Sequence, residues 1–290
     1  MKEKLSEYLK AKKFENTTVF INIRYAEIFI KWLESENNNI ENCVYKDIIN
    51  FIEYLKTKGK SIRNINQYLL AIRHLYASLE MENAPANDVR LKGERRTVPM
   101  NLLDDNELNE LYDKYYAFDN RTKRNKSILS LLIHQALTTE DLHNLKPEHL
   151  KLKQGKIIVP KTKRTNSRTL TLLPEQIILL QEYSDKIRAE IISQNPINTE
   201  QLFISITGKT DIKNSLYHLF RALKQINQNV RNAKQIRMSV IRNKLKNSNL
   251  REVQQFAGHK WVSSTERYLL NNIDDLQRDI EKYHPMKNIE

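Results

Sequence analysis

The sequence predicts a mainly α-helical protein that carries one small β-hairpin. In the first ninety residues, apolar positions recur at steps of three and four, the period of a helix with one buried stripe. An example is the series Val19, Ile23, Ala26, Ile30 and Leu33. One pair of segments, 156–159 and 168–172, has the short length and the residue types of strands. No run of about 18 apolar residues is present, so the sequence predicts no transmembrane helix.

The N-terminal part of the chain is expected to form four helices. A short one lies around residues 5–9, and a longer one covers the stripe at 19–33. Asp47 is placed to cap the third helix, and Gly59 breaks its pattern. Ser61 is placed to cap the fourth helix. The apolar face of that helix consists of Ile62, Ile65, Leu69, Ile72, Tyr76 and Leu79.

The C-terminal part combines helices with the hairpin. Asp104, followed three residues later by Glu107, is a capping-box pattern that predicts the start of a helix. The apolar run 128–137 predicts another helix. The two predicted strands follow, joined by a long basic turn, and helices resume at Pro174.

A change in composition between these parts indicates a linker. Segment 84–100 contains two prolines and a glycine, has no apolar period, and carries a charged run that ends in Arg95 and Arg96. We therefore expect a helical domain at 1–83, a linker at 84–100, and a second domain at 101–290.

The chain is strongly basic. It has 48 Lys and Arg against 35 Asp and Glu, a net charge of +13 and a pI near 9.5. This balance favours a polyanionic partner, first of all nucleic acid, although many soluble proteins are merely basic. From Lys209 to Arg267 there are 13 Lys and Arg against 3 Asp and Glu. The positive charge is therefore concentrated near the C-terminal motif described next.

The composition gives little support for a disulfide framework or a metal site. Cys43 is the single cysteine, so neither a disulfide framework nor a thiolate zinc site is expected. The seven histidines show no metal-ligand spacing, and the carboxylates are scattered, which argues against two-metal chemistry. The first residues lack the apolar core of a signal peptide. We expect a cytoplasmic protein that needs neither metal nor cofactor.

The C-terminal motif runs from Leu250 to Tyr268. It contains Gly258–His259 and a tyrosine nine residues after that histidine, behind a basic segment that carries Arg237. A phenol beside an imidazole and arginines is suited to attack on a phosphodiester, which needs a nucleophile, cationic donors and a proton source. The motif resembles the last catalytic box of the tyrosine recombinases, the phage-integrase/Xer family.

The resemblance assigns roles to individual residues. Tyr268 would be the nucleophile, His259 would contact the scissile phosphate, and Arg237 would be a phosphate-binding arginine. Lys234 stands where the family has a histidine, and it keeps a cation without the imidazole. Lys161, just after the first strand, matches the family's general-acid lysine. Lys163 matches that lysine when the alignment is counted back from Arg168.

One catalytic box departs from the family pattern. Where the family has Gly-Leu-Arg-x-x-Glu-Leu, this chain has Ala-Leu-Thr-Thr-Glu-Asp-Leu at 136–142. Thr138 therefore replaces an arginine, and Asp141 takes the place of the supporting acid. Another cation has to fill this place if the protein is a competent catalyst. The candidates are Lys163, Arg164 and Arg168 in the hairpin.

The resemblance also implies an architecture and a partner. The N-terminal helices are similar to the core-binding domain that clamps DNA, and the second domain to the mostly α-helical catalytic domain. The partner would be double-stranded DNA with specific recombination sites, bound by a homotetramer. Candidate DNA contacts are Lys60, Arg63, Arg73, Arg95, Arg96 and Arg242. We expect a recombinase of a mobile element or phage that forms a 3′-phosphotyrosine. The alternatives are an impaired DNA-binding regulator and a topoisomerase-like enzyme.

Overall fold

A computed structural model describes residues 1–81, 84–93, 101–196 and 198–269. The chain divides into two compact units between Arg95 and Arg96. This division falls inside the segment 84–100 that the sequence predicts as a linker. Helices dominate both units, and the second unit also contains a three-stranded sheet, so the predicted fold class is confirmed.

The described residues of the first unit form four helices around one apolar core. They are α1 (Lys2–Ala11), α2 (Asn16–Ser35), α3 (Tyr45–Thr57) and α4 (Ile62–Ser78). Ser61 caps α4 as predicted, its hydroxyl accepting the Asn64 amide at 3.4 Å. Asp47 does not precede α3 but lies inside its first turn, where its carboxylate accepts the Val44 amide at 2.9 Å. The predicted capping position was therefore wrong by three residues.

Residues 84–91 pack against this helical unit. Ala86 and Val89 are buried in its core. The Asn66 side chain donates to the Leu91 carbonyl at 2.9 Å and accepts the Leu91 amide at 3.0 Å. Arg73 donates through Nη1 to the Asn87 carbonyl at 3.3 Å. This part of the predicted linker is thus attached to the first unit by side-chain hydrogen bonds and apolar burial.

Eight α-helices are described in the second unit, and residues 263–269 are also helical. The helices are α5 (Asp105–Lys114), α6 (Asn120–His134), α7 (Thr139–Asn144), α8 (Pro174–Glu182), α9 (Arg188–Gln194), α10 (Lys213–Ile226), α11 (Ala233–Lys244) and α12 (Leu250–Ala257). The capping box of α5 is present, with reciprocal bonds between Asp104 and Glu107 of 2.8 and 3.0 Å. The prediction of a helix at 128–137 was only partly correct. Helix α6 begins eight residues earlier, capped by Asp119, and ends at His134, before Ala136 adopts a φ of 50°.

The sheet is antiparallel, in the order β1 (Leu150–Lys151), β2 (Lys156–Val159), β3 (Arg168–Thr171). The predicted hairpin is present, with Val159 opposite Arg168 at the end next to the turn. Side chains alternate in burial along β3, so Arg168 and Leu170 both lie on the buried face. This alternation carries the Arg168 guanidinium into the interior of the second unit. Among the described residues, no helix is both long and apolar enough to cross a membrane.

Candidate active site

Four segments of the second unit meet around one buried cluster of polar groups. They are the start of α7, the turn between β2 and β3 together with the first residue of β3, helix α11, and the segment 258–268. Every predicted catalytic residue lies on one of these segments, but the segments place some of the side chains inside the cluster and others on the surface.

Arg237 is the central cation of the cluster. It is buried, and its Nη1 and Nη2 donate to the carbonyls of Ala136 and Ala257, the second at 2.7 Å. These bonds fix the guanidinium between the start of α7 and the end of α12. Burial, followed by the nearby Arg168 charge, lowers the pKa of Arg237 to about 10. Arg237 therefore remains protonated at neutral pH.

Asp141 and Arg168 form a buried ion pair. Nη2 of Arg168 lies 3.0 Å from Oδ2 of Asp141, and the two side chains are 2% and 0% exposed. Asp141 also accepts the Thr138 amide at 2.9 Å and the Thr165 hydroxyl at 3.0 Å. Burial alone would raise the pKa of Asp141, but Arg168 and the Thr138 amide outweigh it, and the pKa is lowered. The carboxylate thus joins the start of α7 to the hairpin.

Thr138 acts as a helix cap. Its hydroxyl accepts the Asp141 amide at 2.9 Å, which completes a capping box with the Asp141 carboxylate. The residue that replaces the expected arginine therefore organises the start of α7 and brings no charge of its own.

The hairpin turn is attached to the Gly258–His259 turn. The Asn166 amide donates to the Gly258 carbonyl at 2.9 Å, and Thr165 forms an isolated β-bridge with His259. Gly258 has a φ of 67°, and a Cβ there would lie only 2.8 Å from Nη1 of Arg168. Glycine is required at this position both by its backbone conformation and by the close approach of the arginine.

His259 lies beside Tyr268 in the cluster. Their rings stack with centroids 6.4 Å apart and planes 12° apart, and Nδ1 of His259 is 2.8 Å from the Thr265 hydroxyl. Burial lowers the pKa of His259 to about 3, and the charges of Arg237, Arg267 and Arg168 act in the same direction. The imidazole is therefore neutral at pH 7.

Tyr268 is buried. Only 6% of it is exposed, and it packs against the apolar side chains of α11 and α12. Burial raises the pKa of its phenol, and Arg237 and Arg267 partly oppose this increase. A tyrosine that attacks DNA is expected to be exposed. The structure instead turns it inward, because Thr265 and Tyr268 lie one helical turn apart on the same buried face.

The remaining predicted cations of the site are exposed. Lys161, Lys163 and Arg164 lie on the hairpin turn, and Lys234 lies on the outer face of α11. The carbonyl of Lys163 accepts Nζ of Lys260 at 2.6 Å, a second attachment between the two turns. Of the three hairpin candidates for the missing arginine, only Arg168 has its charge inside the cluster.

The residues predicted to contact DNA differ in exposure and in whether their side chains are already hydrogen-bonded within the protein. Lys60 and Arg63 are exposed on the first unit. Arg73 is half-buried and bonded to Asn87, and Arg242 donates through Nη2 to the Leu102 carbonyl at 3.4 Å. Arg95 and Arg96 lie outside the described residues.

Two residues of the cluster were not anticipated from the sequence. Thr165 bonds to Asp141, and Arg267 places a further cation near His259 and Tyr268. The neighbour of a predicted nucleophile is an obvious candidate, so Arg267 was recognisable from its position. Thr165 was not, since nothing in the turn sequence shows which hydroxyl faces inward. Within the described ranges, no three His, Cys, Asp or Glu side chains are grouped so that they could hold a metal ion.

The second unit also matches a known family. Residues 101–274, more than half of the chain, match the Phage integrase family. This chain belongs to the phage integrase family. The chain is similar to tyrosine recombinase XerC of Oceanobacillus iheyensis, with 25% identity over 278 residues that cover 90% of this chain and 88% of the relative.

Solved structures of two DNA-bound proteins share the fold. The XerH recombinase bound to its difH substrate before cleavage superposes with a TM-score of 0.67 at 20% identity, covering 90% of this chain and 78% of that one. A lambda integrase tetramer bound to a Holliday junction superposes with a TM-score of 0.62 at 16% identity, with coverages of 92% and 75%. At these identities the likeness concerns the fold alone.

Proposed function

We propose that this integrase-family chain is a site-specific DNA recombinase of a mobile element or phage, which cuts and rejoins double-stranded DNA through a 3′-phosphotyrosine at Tyr268. The observation that carries the proposal is the meeting of a phenol, a neutral imidazole and two guanidiniums in one buried cluster. Phosphoryl transfer without a metal needs such a nucleophile surrounded by cationic donors.

In the cleavage step, the phenol oxygen of Tyr268 forms a bond to phosphorus, and the bond from phosphorus to the 5′ oxygen breaks. The phenol proton passes to Nε2 of His259, whose Nδ1 is held by Thr265. A bound phosphate offsets the charges of Arg237 and Arg168, so it raises the basicity of the imidazole that those charges depress. The leaving 5′ oxygen takes a proton from a lysine of the hairpin turn.

Lys161 supplies that proton in our proposal. It follows β2 after Pro160, its side chain is exposed, and its ammonium has no partner among the described residues, so it is free to approach a bound phosphate. In rejoining, the 5′ hydroxyl of a second strand attacks the phosphotyrosine, and the proton transfers run in reverse.

Strand exchange between two sites requires four such reactions, so we propose that the protein works as a homotetramer on paired sites. The lambda integrase tetramer on a Holliday junction, which has the same fold, supports this arrangement. Sedimentation of the protein with a synthetic Holliday junction is expected to give four subunits per junction. A single subunit per duplex, together with relaxation of supercoiled plasmid, would favour a topoisomerase-like enzyme.

The test of the proposed chemistry is covalent capture. Duplexes bound by the protein are first selected from a randomised pool, and versions nicked at successive positions are then incubated with the protein. The wild type is expected to form an adduct that resists denaturing electrophoresis. Tyr268→Phe should bind but form none, whereas Tyr116→Phe, at a 78% exposed tyrosine, should behave as the wild type.

A second candidate function is a DNA-binding regulator without catalysis. The observation that favours it is Thr138, which caps α7 in the position of an expected catalytic arginine. Tight binding of the selected duplexes by the wild type without any adduct would establish this function and exclude the recombinase.

A further inference from the structure

The buried cluster has an unbalanced positive charge. Among the described residues, the guanidiniums of Arg168 and Arg237 are buried together with one carboxylate, that of Asp141. Asp141 pairs with Arg168, and the hydrogen bonds of Arg237 within the described ranges go to backbone carbonyls. One positive charge therefore has no anionic partner in the described part of the chain. Buried charges are normally paired, so this arrangement favours the binding of an anion.

Arg168 also has unused hydrogen-bond donors. Its Nη2 is bonded to Asp141, whereas Nε and Nη1 are buried and have no acceptor among the described residues. Arginine carries five N–H donors, and burying charged donors without an acceptor is expensive. A ligand with oxygen acceptors would satisfy them.

The position of Arg168 places these donors beside the catalytic groups. Nη1 lies 2.8 Å from where a Cβ of Gly258 would be, next to His259. The charge of Arg168 lowers the pKa of both Arg237 and His259, which agrees with a location between them. The guanidinium is also held at the start of α7, because Asp141 binds both Arg168 and the Thr138 amide.

We propose that Arg168 is a catalytic residue that binds a nonbridging oxygen of the scissile phosphate, in place of the arginine that Thr138 replaces. The guanidinium of a residue on β3 would thus bind the phosphate oxygen that an arginine at the start of α7 is expected to bind. Lys163 and Arg164 were equally plausible from the sequence, but both are exposed on the turn. This inference rests on the proposed recombinase function.

The chemical requirement is specific. When the Tyr268 oxygen bonds to phosphorus, negative charge is distributed over the nonbridging oxygens, and Arg237 and Arg168 can neutralise it from two sides. Removing one preorganised donor of this kind typically slows the chemical step by about 10²–10³. Arg168→Ala is therefore expected to reduce the rate of adduct formation by about that factor at saturating protein.

The test separates a catalytic from a purely structural role by changing the substrate. A methylphosphonate at the cleavage site replaces one nonbridging oxygen by a methyl group and removes the charge that Arg168 would neutralise. Arg168→Ala should be slow on the phosphate and close to the wild-type rate on one methylphosphonate diastereomer. Arg121→Ala, at an exposed arginine of α6, should match the wild type on both substrates.

Equal slowing of Arg168→Ala on both substrates would overturn the inference, because it would mean that Arg168 only supports Asp141. So would a wild-type rate for Arg168→Ala on the phosphate. If Arg168→Ala does not fold, Arg168→Lys keeps a cation beside Asp141 while losing the fork, and the same comparison applies with a smaller rate loss. Absence of any adduct with the wild type would instead mean that the proposed function itself has failed.

Discussion

Asp141 connects three parts of the second unit through a single carboxylate. It accepts from Thr138, Thr165 and Arg168 while fully buried. Removing it would leave the Arg168 charge in the interior without a partner, and breaking a buried pair in this way costs about 3–5 kcal/mol. We expect Asp141→Ala to lower the free energy of unfolding in urea by about that amount.

The matched control for this substitution is Glu110→Ala. Glu110 also pairs with a cation, Lys114, but both side chains are largely exposed. We expect its loss to change stability by no more than about 1 kcal/mol. Equal effects of the two substitutions would contradict the description of Asp141 as the central buried acid.

His259 gives the stability of the protein a defined pH dependence. Its pKa is about 3 in the folded chain and about 6.5 when unfolded, so between these values only the unfolded chain is protonated. Stability must then fall as the pH falls below 6.5. From pH 7 to pH 5 the loss from this residue is at most about 2 kcal/mol.

The measurement is urea unfolding of the wild type and of His259→Gln at pH 7 and pH 5. The wild type should lose more stability than the variant over this interval. A larger loss in His259→Gln would mean that the imidazole is protonated in the folded protein.

The arginines of the site show which of its residues could be predicted from the sequence. Arg237, His259 and Tyr268 were recognised from their motif, and the structure brings them together. Arg168 was one of three candidates for the missing arginine. It lies two residues before Leu170, so the two side chains lie on the same face of β3. That alternation was available from the sequence. The buried state of Tyr268 was not, since it depends on packing between α11, α12 and the helical segment 263–269.

The Gly258–His259 turn depends on glycine for two separate reasons, and a matched substitution can distinguish them. Gly155 and Gly258 have φ values of 62° and 67°, but a Cβ at Gly155 would meet only Ile177, at an ordinary 3.7 Å. Gly155→Ala should therefore show only the backbone penalty of about 1–2 kcal/mol. Gly258→Ala should add about 1–3 kcal/mol for the clash with Arg168 and Asn166.

Adduct formation provides a second measurement on the same two variants. Gly258→Ala should slow it, because the new methyl group displaces Arg168, and Gly155→Ala should not. Equal stability and equal activity of the two variants would contradict the conclusion that the Arg168 side chain lies against Gly258.

The helices and strands were predictable where short-range chemistry sets them. The cap of α4 at Ser61 and the capping box of α5 follow from local hydrogen bonds, and the hairpin follows from its residue types. The end of α6 was not predictable, because the left-handed backbone that follows the helix is at Ala136, and no glycine or proline marks this position in the sequence. Strand β1 has only two residues and exists through its pairing with β2, which no local pattern encodes.

Charge acts on the whole molecule, and its effect on DNA binding is testable through salt. Each phosphate neutralised by a cation steepens the fall of log affinity with log salt by about 0.9 for duplex DNA. Lys60 and Arg63 are exposed, so replacing both with alanine should reduce this slope by about 2 if both contact phosphates. The slope is measured by fluorescence anisotropy of a selected duplex between 50 and 200 mM salt.

Arg73→Ala provides the comparison, since its guanidinium is bonded to Asn87 within the first unit. We expect this variant to keep the wild-type slope and to lose about 1 kcal/mol of stability. An unchanged slope in the Lys60 and Arg63 double variant would remove these residues from the DNA interface.

The net charge and the family resemblance of the sequence indicate a DNA partner. What the sequence did not show is that residues 84–91 of the predicted linker pack on the first helical unit, through Asn66 and the buried Ala86 and Val89. A segment with only two apolar residues that pack and no apolar period is predicted from its sequence to be a linker. Its attachment depends on side chains of α4 that lie far from it in sequence.

The most direct test of the account is to identify the amino acid that becomes linked to DNA. Tyr268 is the only tyrosine between Arg251 and Arg278, so every tryptic peptide from this region carries at most that one. The adduct formed by the wild type is digested with trypsin and nuclease, and the linked peptide is identified by mass spectrometry. We predict a nucleotide mass on Tyr268 in the peptide 268–278. A nucleotide on any other residue would contradict the assignment of Tyr268 as the nucleophile.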